Sequence, residues 1–511
     1  MLKRLLALFL VGMMLIGTFA MTSCADDTEE TPDDSATDVT DEDEGKEEEK
    51  EEERLPIVLP EKTYGSSGEP AEIHFIEWSA NGHTTIGETW LPWAEVDIPE
   101  WDGDILNNAI YDRNKLVEET YNVTITQEYV SVDQGFQQNI MNNATSGDNA
   151  YQIMTMRSVN ISAYVFGEYM LNMFDLEYLN TDMPWWNQDS VRSYTLGSNL
   201  YFAAPEMLLR DKGGTACMFY NTKVASDYGI DDLYAVVDSG DWTQDAMIEY
   251  CEQVMADLGG GEGIDSYEDM WGALGADDPV YYLFNGAGLK FAHIDDDGYI
   301  EYDFGDEESI TVLKDIFDYI IYADWYGVGY SPDESDMKTA DVFTSDHALF
   351  SFNCVKGVLG LRNMESKYGI LPIPKLDDSQ ENYSSLVWQH HDCVLGIPAA
   401  VPEGDREMVS VVLEYMSYLS YYTVYPSFYD TVLLTKSTHD EESKRMLEIV
   451  FETRSFDPGQ YWDNGTGLHG GEGYLRLQSK GTSDIASVWA RWEDAVYKCF
   501  DELNEKIIDM E

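Results

Sequence analysis

Basic residues are scarce: 30 Lys and Arg stand against 97 Asp and Glu, for a formal net charge of -67. Such a field repels phosphate backbones, which argues against nucleic acid or any anionic surface as a partner. Cysteines are few, six in all, and no CxxC pair occurs. With Cys24 set aside, Cys217, Cys251, Cys354, Cys393 and Cys499 are odd in number and cannot all pair internally. They read mainly as small buried apolar residues, with a single disulfide left open and unassignable. Catalytic signatures are missing too, since there is no HExxH, no GxSxG and no Walker phosphate loop; Gly65-Ser-Ser-Gly68 lies in a linker. Paired carboxylates could serve a glycosidase, but among 97 acidic residues a close pair is almost inevitable. The expectation is a protein without catalytic residues, cofactor or metal. No sequence repeat stands out.

What is present begins at the amino terminus. Lys3-Arg4 precede an apolar run, Leu5 to Ala20, too short for a comfortable membrane span and followed by Met21-Thr-Ser-Cys24. A basic start, a short apolar stretch and small residues describe a secretory signal over residues 1–23. Met21-Thr-Ser-Cys24 is similar to a bacterial lipobox, with Met21 where Leu is usual and Ser23 where Gly or Ala is usual, so Cys24 is expected to be lipidated. The alternative is ordinary cleavage near Ala20. Residues 24–69 start with a stretch, Ala25 to Glu53, that is nearly all Asp, Glu, Thr and Ser. It has almost nothing to bury, and like charges extend it, so the segment reads as a disordered acidic tether. The remaining body of about 450 residues exceeds one core and calls for two large lobes.

The stretch from Leu196 to Trp242 marks where one layered unit gives way to the next. Leu200-Tyr-Phe-Ala203 and Ala216-Cys-Met-Phe-Tyr220 read as strands, separated by a polar Arg210-Asp-Lys-Gly-Gly214 connection. Thr222 to Tyr228 then reads as a short helix stopped by Gly229, and Thr243 caps a longer one. Pro184-Trp-Trp186, Gly197-Ser-Asn-Leu-Tyr-Phe202, Met218-Phe-Tyr-Asn-Thr-Lys223 and Asp241-Trp-Thr243 resemble the midsection of extracellular solute-binding proteins of carbohydrate ABC transporters. Asp346-His-Ala-Leu-Phe350, Tyr368-Gly-Ile-Leu-Pro-Ile-Pro-Lys375 and Asp440-Glu-Glu-Ser-Lys-Arg-Met446 continue the likeness in the same order, over roughly residues 70 to 500. The resemblance implies a two-lobe, type II periplasmic-binding-protein-like α/β fold, with a mostly parallel mixed sheet in each lobe and a hinge near Cys217 to Asn221. It divides the chain into a first lobe, 70–216 plus about 390–425, and a second, 217–389 plus about 426–511.

Local patterns agree with alternating strands and helices. Glu72-Ile-His-Phe-Ile-Glu-Trp78 alternates as a strand. Asp104 caps a helix whose stripe is Ile105, Ala109, Ile110, Leu116 and Val117, and Val123 to Tyr129 and Tyr151 to Met156 are further strands. In such sheets ligands bind beyond the carboxyl ends of strands, which points to Trp78 to His83 and Met156-Arg-Ser158. In the second part, Val387 to Ile397 reads as a strand returning to the first lobe. Asp295-Asp-Asp-Gly298 has carboxylates at the wrong positions for a calcium loop and fits a hairpin turn. On a strand, His390 and His391 would point to opposite faces and could not share a metal.

The remaining signal is aromatic, with 13 Trp and 34 Tyr, many beside Gly, Asn or Asp. Aromatic faces cover the C–H faces of sugars while polar side chains bind hydroxyls, although single aromatics are also ordinary core filler. Trp185-Trp186, inside a shared structural motif, read as core. The candidate ligand residues are Trp78, Asn81, Arg157, Trp271, Asn285, Trp388 and His390, at strand ends, glycine turns or the inter-lobe return. Together with the resemblance they imply a monomeric, lipid-anchored extracellular receptor that captures a carbohydrate, an oligosaccharide, and delivers it to the permease of an ABC importer. The alternative is a secreted polysaccharide hydrolase or a surface adhesion module.

Overall fold

The computed structural model describes residues 54–66, 68–79, 93–131, 135–230, 232–259, 263–264, 268–276, 278–328, 339–433, 441–462 and 483–510. Asn81, Cys24 and the signal and most of the tether expected before Arg54 lie outside these residues. Among the described residues no helix is long and apolar enough to cross a membrane.

Ten strands make two five-stranded sheets: β1 (Ala71–Ser79), β2 (Val123–Ser131), β3 (Ile153–Met156), β4 (Phe202–Ala203), β5 (Ala216–Asn221), β6 (Trp271–Gly275), β7 (Tyr326–Val328), β8 (Ala348–Cys354), β9 (Tyr368–Leu371) and β10 (Val394–Gly396). The first sheet has the order β2-β1-β3-β10-β4 and the second β7-β6-β8-β5-β9. Within the first, β1 runs parallel to β2 and β3, while β10 is antiparallel to β3 and β4. In the second, β6, β7 and β8 are parallel and β5 is antiparallel to β8 and β9. Each lobe is thus a mixed sheet in which helical connections supply the parallel pairs.

β1 starts as an alternating strand, with Glu72 exposed and Ile73 buried, but every residue from Phe75 to Ser79 is buried because helices and loops cover both faces of a central strand. Asp104 caps the helix Ile105–Tyr121, its Oδ1 accepting from the amides of Leu106 and Asn107 at 3.0 Å each. The buried face differs from the apolar stripe read in the sequence: Leu106, Ile110, Arg113, Asn114, Val117 and Tyr121 face inward, while Ile105 and Leu116 are exposed. Arg113 and Asn114 escape an apolar count because carbonyl oxygens satisfy them, Arg113 Nη2 and Asn114 Nδ2 donating to Val96 O at 2.5 and 2.7 Å. The helix Glu403–Tyr422 closes the lobe. Its buried Glu414 accepts from the indoles of both Trp185 and Trp186, at 2.7 and 2.9 Å, which fixes the Trp-Trp pair as core.

The chain crosses between sheets through Ala204–Thr215 and again through Val387–Cys393. Cys217 to Asn221, where the resemblance implies a hinge, sits inside β5 and is paired on both edges, so the crossing comes earlier. The return strand is also shorter than its apolar run, since only Val394–Gly396 pairs with the first sheet. The two crossings lie side by side. Thr215 bridges Val387, and the Trp388 amide donates to Gly214 O at 3.1 Å. A third segment joins them as Arg454–Ser455 pairs in parallel with Ser385–Leu386. Gly214 is required here by close approach: a Cβ would stand 2.6 Å from His391 O.

The Arg210-Asp-Lys-Gly-Gly214 connection, polar in sequence, is wholly buried. Arg210 Nε donates to Glu95 Oε2 at 2.7 Å and Nη1 to Trp78 O at 2.9 Å. Lys212 Nζ lies 2.8 Å from Glu206, and Arg454 bonds Glu206 and Asp211 at 2.9 and 2.8 Å. Buried charges survive only when paired in this way. A connection that would ordinarily be a surface loop is therefore a packed ionic bearing between lobes.

Candidate functional site

The carboxyl ends of the parallel strands of both sheets converge on the crossings. From the first lobe, β1 ends at Trp78-Ser79 and β3 ends just before Arg157, whose guanidinium carbon lies 4.0 Å from the centre of the Trp78 ring. That distance is a close cation–π contact, which holds the guanidinium over the indole. From the second, β8 ends at Cys354 and runs into Val355-Lys-Gly357, and the Val355 amide donates to Thr215 O on the first crossing at 2.9 Å.

The second crossing fills the space between. Asp392 Oδ1 accepts from the Ser158 amide at 2.9 Å, fastening the crossing to the end of β3. His391 Nδ1 lies 2.8 Å from Lys356 Nζ, fastening it to the second lobe. His390 and His391 lie in a turn, not in the strand expected over Val387 to Ile397. Among the described residues no cluster of His, Cys, Asp or Glu could hold a metal ion.

Trp388 is fully buried, stacked on Tyr281 at 4.9 Å and 17° and edge-on to Tyr282, with His390 5.1 Å away. Tyr281 belongs to the helix Pro279–Gly286, so Trp388 pins the crossing to the second lobe from behind the half-buried histidines.

Protonation follows the same geometry. Burial pushes Lys356 down to about 8, assisted by Arg157 and Arg210 and opposed by Cys354 and Asp278. His391 is held well below its usual range by burial and by Lys356, His390 and Arg157. Burial raises Asp392 to about 7 against its Ser158 hydrogen bonds and Arg157. Beneath the floor, burial raises Glu77 to about 8 against Arg210, 3.6 Å away. Glu77 and Glu95, the close carboxylates that could suggest a glycosidase, are both fully buried and both engaged by Arg210.

The sequence candidates separate into groups. Trp78, Arg157, Trp388 and His390 come together at the crossings. Trp271 begins β6 and pairs with Ala348 at the start of β8, the end of the sheet away from the crossings. Asn285 is buried, with Nδ2 donating to Ser455 Oγ at 3.0 Å and Oδ1 accepting from Ser384 Oγ at 2.8 Å, so its amide ties together the segments behind the crossings. Lys356, Asp392 and Tyr281 belong to the site and were not picked out. Of these only Lys356 carries a sequence signal, as a lone cation four residues after the end of the apolar run Ala348-Leu-Phe-Ser-Phe352.

No family model matches the chain, and no curated protein matches it by sequence. Solved structures do. An ABC substrate-binding protein from Listeria monocytogenes in complex with cycloalternan aligns with a TM-score of 0.52 at 12% identity, over 84% of this chain and 99% of that one. A cyclo/maltodextrin-binding protein complexed with maltotetraose aligns at 0.53 and 12%, over 86% and 98%. A sugar transporter protein from Rhizobium etli in an open conformation aligns at 0.53 and 13%, over 86% and 99%. The chain has the two-lobe α/β fold of ABC-transporter sugar-binding proteins.

Proposed function

We propose that the protein is an extracellular receptor that closes its two lobes on a carbohydrate and passes it to an ABC importer, held at the membrane by a lipidated Cys24. The observation that carries this reading is the convergence of parallel-strand ends from both sheets on paired crossings, where Trp78, Arg157 and His390 stand with Trp388 behind them. A ligand touching Arg157, which covers the buried Trp78, on one side and Lys356 on the other bridges both lobes and favours the closed arrangement by that differential contact. Asn81 follows Trp78 by three residues in the sequence and lies outside the described residues. Trp271 and Asn285 are better explained by packing.

A receptor of this kind needs no catalytic pair. Incubation with oligosaccharides, followed by assay of reducing ends, is expected to show binding and no shorter products. Sustained release of shorter sugars, abolished by changing one carboxylate, would instead establish a hydrolase. Mass spectrometry of the mature amino terminus is expected to find an acylated Cys24; an unmodified Cys24 or a free Ala25 would remove the anchor.

A further inference from the structure

Resting on the reading that the inter-lobe site takes a sugar, we propose that this sugar is anionic, with a carboxylate or sulfate seated among Arg157, Lys356 and His391. The three come from separate elements: Arg157 from the end of β3, Lys356 from the turn after β8, and His391 from the crossing between the lobes. They converge within contact or electrostatic range of one another, together with His390.

Although acidic residues outnumber Lys and Arg 97 to 30 overall, here Arg157, Lys356, His390 and His391 gather beside Asp392, within electrostatic range of Asp278 and Asp211. Asp392 is already an acceptor for the Ser158 amide. The neighbouring Arg210 is committed to Glu95 and Glu77, so its charge is balanced beneath the site. Burial drives Lys356 down to about 8, with Cys354 and Asp278 opposing and Arg157 and Arg210 adding to the shift, and burial followed by Lys356, His390 and Arg157 holds His391 well below its ordinary range. An anion set among these groups accepts charge-assisted hydrogen bonds from guanidinium and ammonium and raises the proton affinity of Lys356 and His391. Lys356 also borders a cavity of about 340 Å³ in the second lobe, lined by Phe219, Phe343, Ser351 and Asn353, which is within the size range of small-molecule pockets. Aromatic and hydroxyl or amide groups in that wall suit the uncharged remainder of a sugar.

Calorimetric titration of the purified chain with uronic-acid oligosaccharides, sulfated oligosaccharides and neutral oligosaccharides of matched length tests this. Acidic sugars are expected to bind at least roughly tenfold more tightly than neutral ones. Added salt is expected to weaken the acidic sugars only, and titration in buffers of different ionisation enthalpy to show proton uptake on binding. The preference between the uronate and sulfate series identifies the anion. Arg157→Gln, at a half-buried position, is expected to erase most of the acidic preference, and Lys356→Met to reduce the proton uptake seen near pH 8. The wild-type comparison stands even where a variant fails to fold. Equal affinity for neutral and acidic sugars, insensitive to salt, overturns the anionic proposal and leaves the sugar receptor standing; binding of none of the three series overturns both.

Discussion

Lys356 Nζ lies 2.8 Å from His391 Nδ1, and through this contact the second lobe holds the chain as it returns to the first. Because burial lowers Lys356 to about 8 from its free value of 10.5, the folded state binds fewer protons than the unfolded state between those values. Stability contributed by this site therefore rises with pH from about 8 to 10.5. The difference in unfolding free energy between wild type and Lys356→Met, measured by urea titration across that window, is expected to grow in favour of wild type, by at most about 1.4 kcal/mol per pH unit.

Glu77 gives the opposite sign. Its carboxyl is raised from 4.5 to about 8, first by burial, so the folded state binds more protons than the unfolded state across that range. Wild type is expected to lose stability as pH rises from about 4.5 to 8, and Glu77→Gln to flatten that slope while folding normally. An unchanged slope in the variant would show that Arg210 keeps Glu77 ionised.

The paired crossings leave no room at Gly214, where a Cβ would meet His391 O at 2.6 Å. Gly214→Ala is expected to force the crossings apart and to cost roughly 1–3 kcal/mol, as overpacking of a tight interior does. Thermal unfolding of the variant measures this, and an unchanged midpoint would show that the crossings slide freely.

Glu414 is the single acceptor for two buried indoles, at 2.7 and 2.9 Å. Glu414→Ala leaves both donors without that partner and is expected to cost on the order of 2–5 kcal/mol, while Glu414→Gln retains one acceptor and loses less. Denaturant midpoints of the two variants check the order.

Much of the architecture was legible because period and punctuation are local properties. The alternation from Glu72, the Asp104 cap and the Thr243 cap all correspond to observed elements, with Asp104 bonding Leu106 and Asn107 and Thr243 Oγ1 accepting from Ala246. The segments Phe291-Ala-His-Ile294 and Tyr299-Ile-Glu-Tyr302, on either side of the expected Asp295-Asp-Asp-Gly298 turn, form a hairpin with Ile294 opposite Ile300. What sequence could not show is where polar residues are buried. Arg210 and Lys212 look like a solvated loop until Glu95 and Glu206 arrive from distant segments to neutralise them. The same holds at the site: Trp78 and Arg157 follow from the rule that ligands lie beyond strand ends, whereas Lys356 and Asp392 acquire meaning only once the second crossing is laid between the lobes. Trp388, a candidate ligand residue from its place on the inter-lobe return, is fully buried against Tyr281. Its replacement by Ala is expected to cost about 3–5 kcal/mol of stability, measurable by denaturant titration.

The central claim is that two lobes close on a sugar at the crossings. Titrating neutral and acidic oligosaccharides while recording X-ray scattering and tryptophan emission together tests it most directly. The account predicts that a bound sugar reduces the radius of gyration and shifts the emission with the same midpoint, as closure changes the surroundings of the buried Trp78 beneath Arg157. A sugar that binds with the radius of gyration unchanged would contradict it.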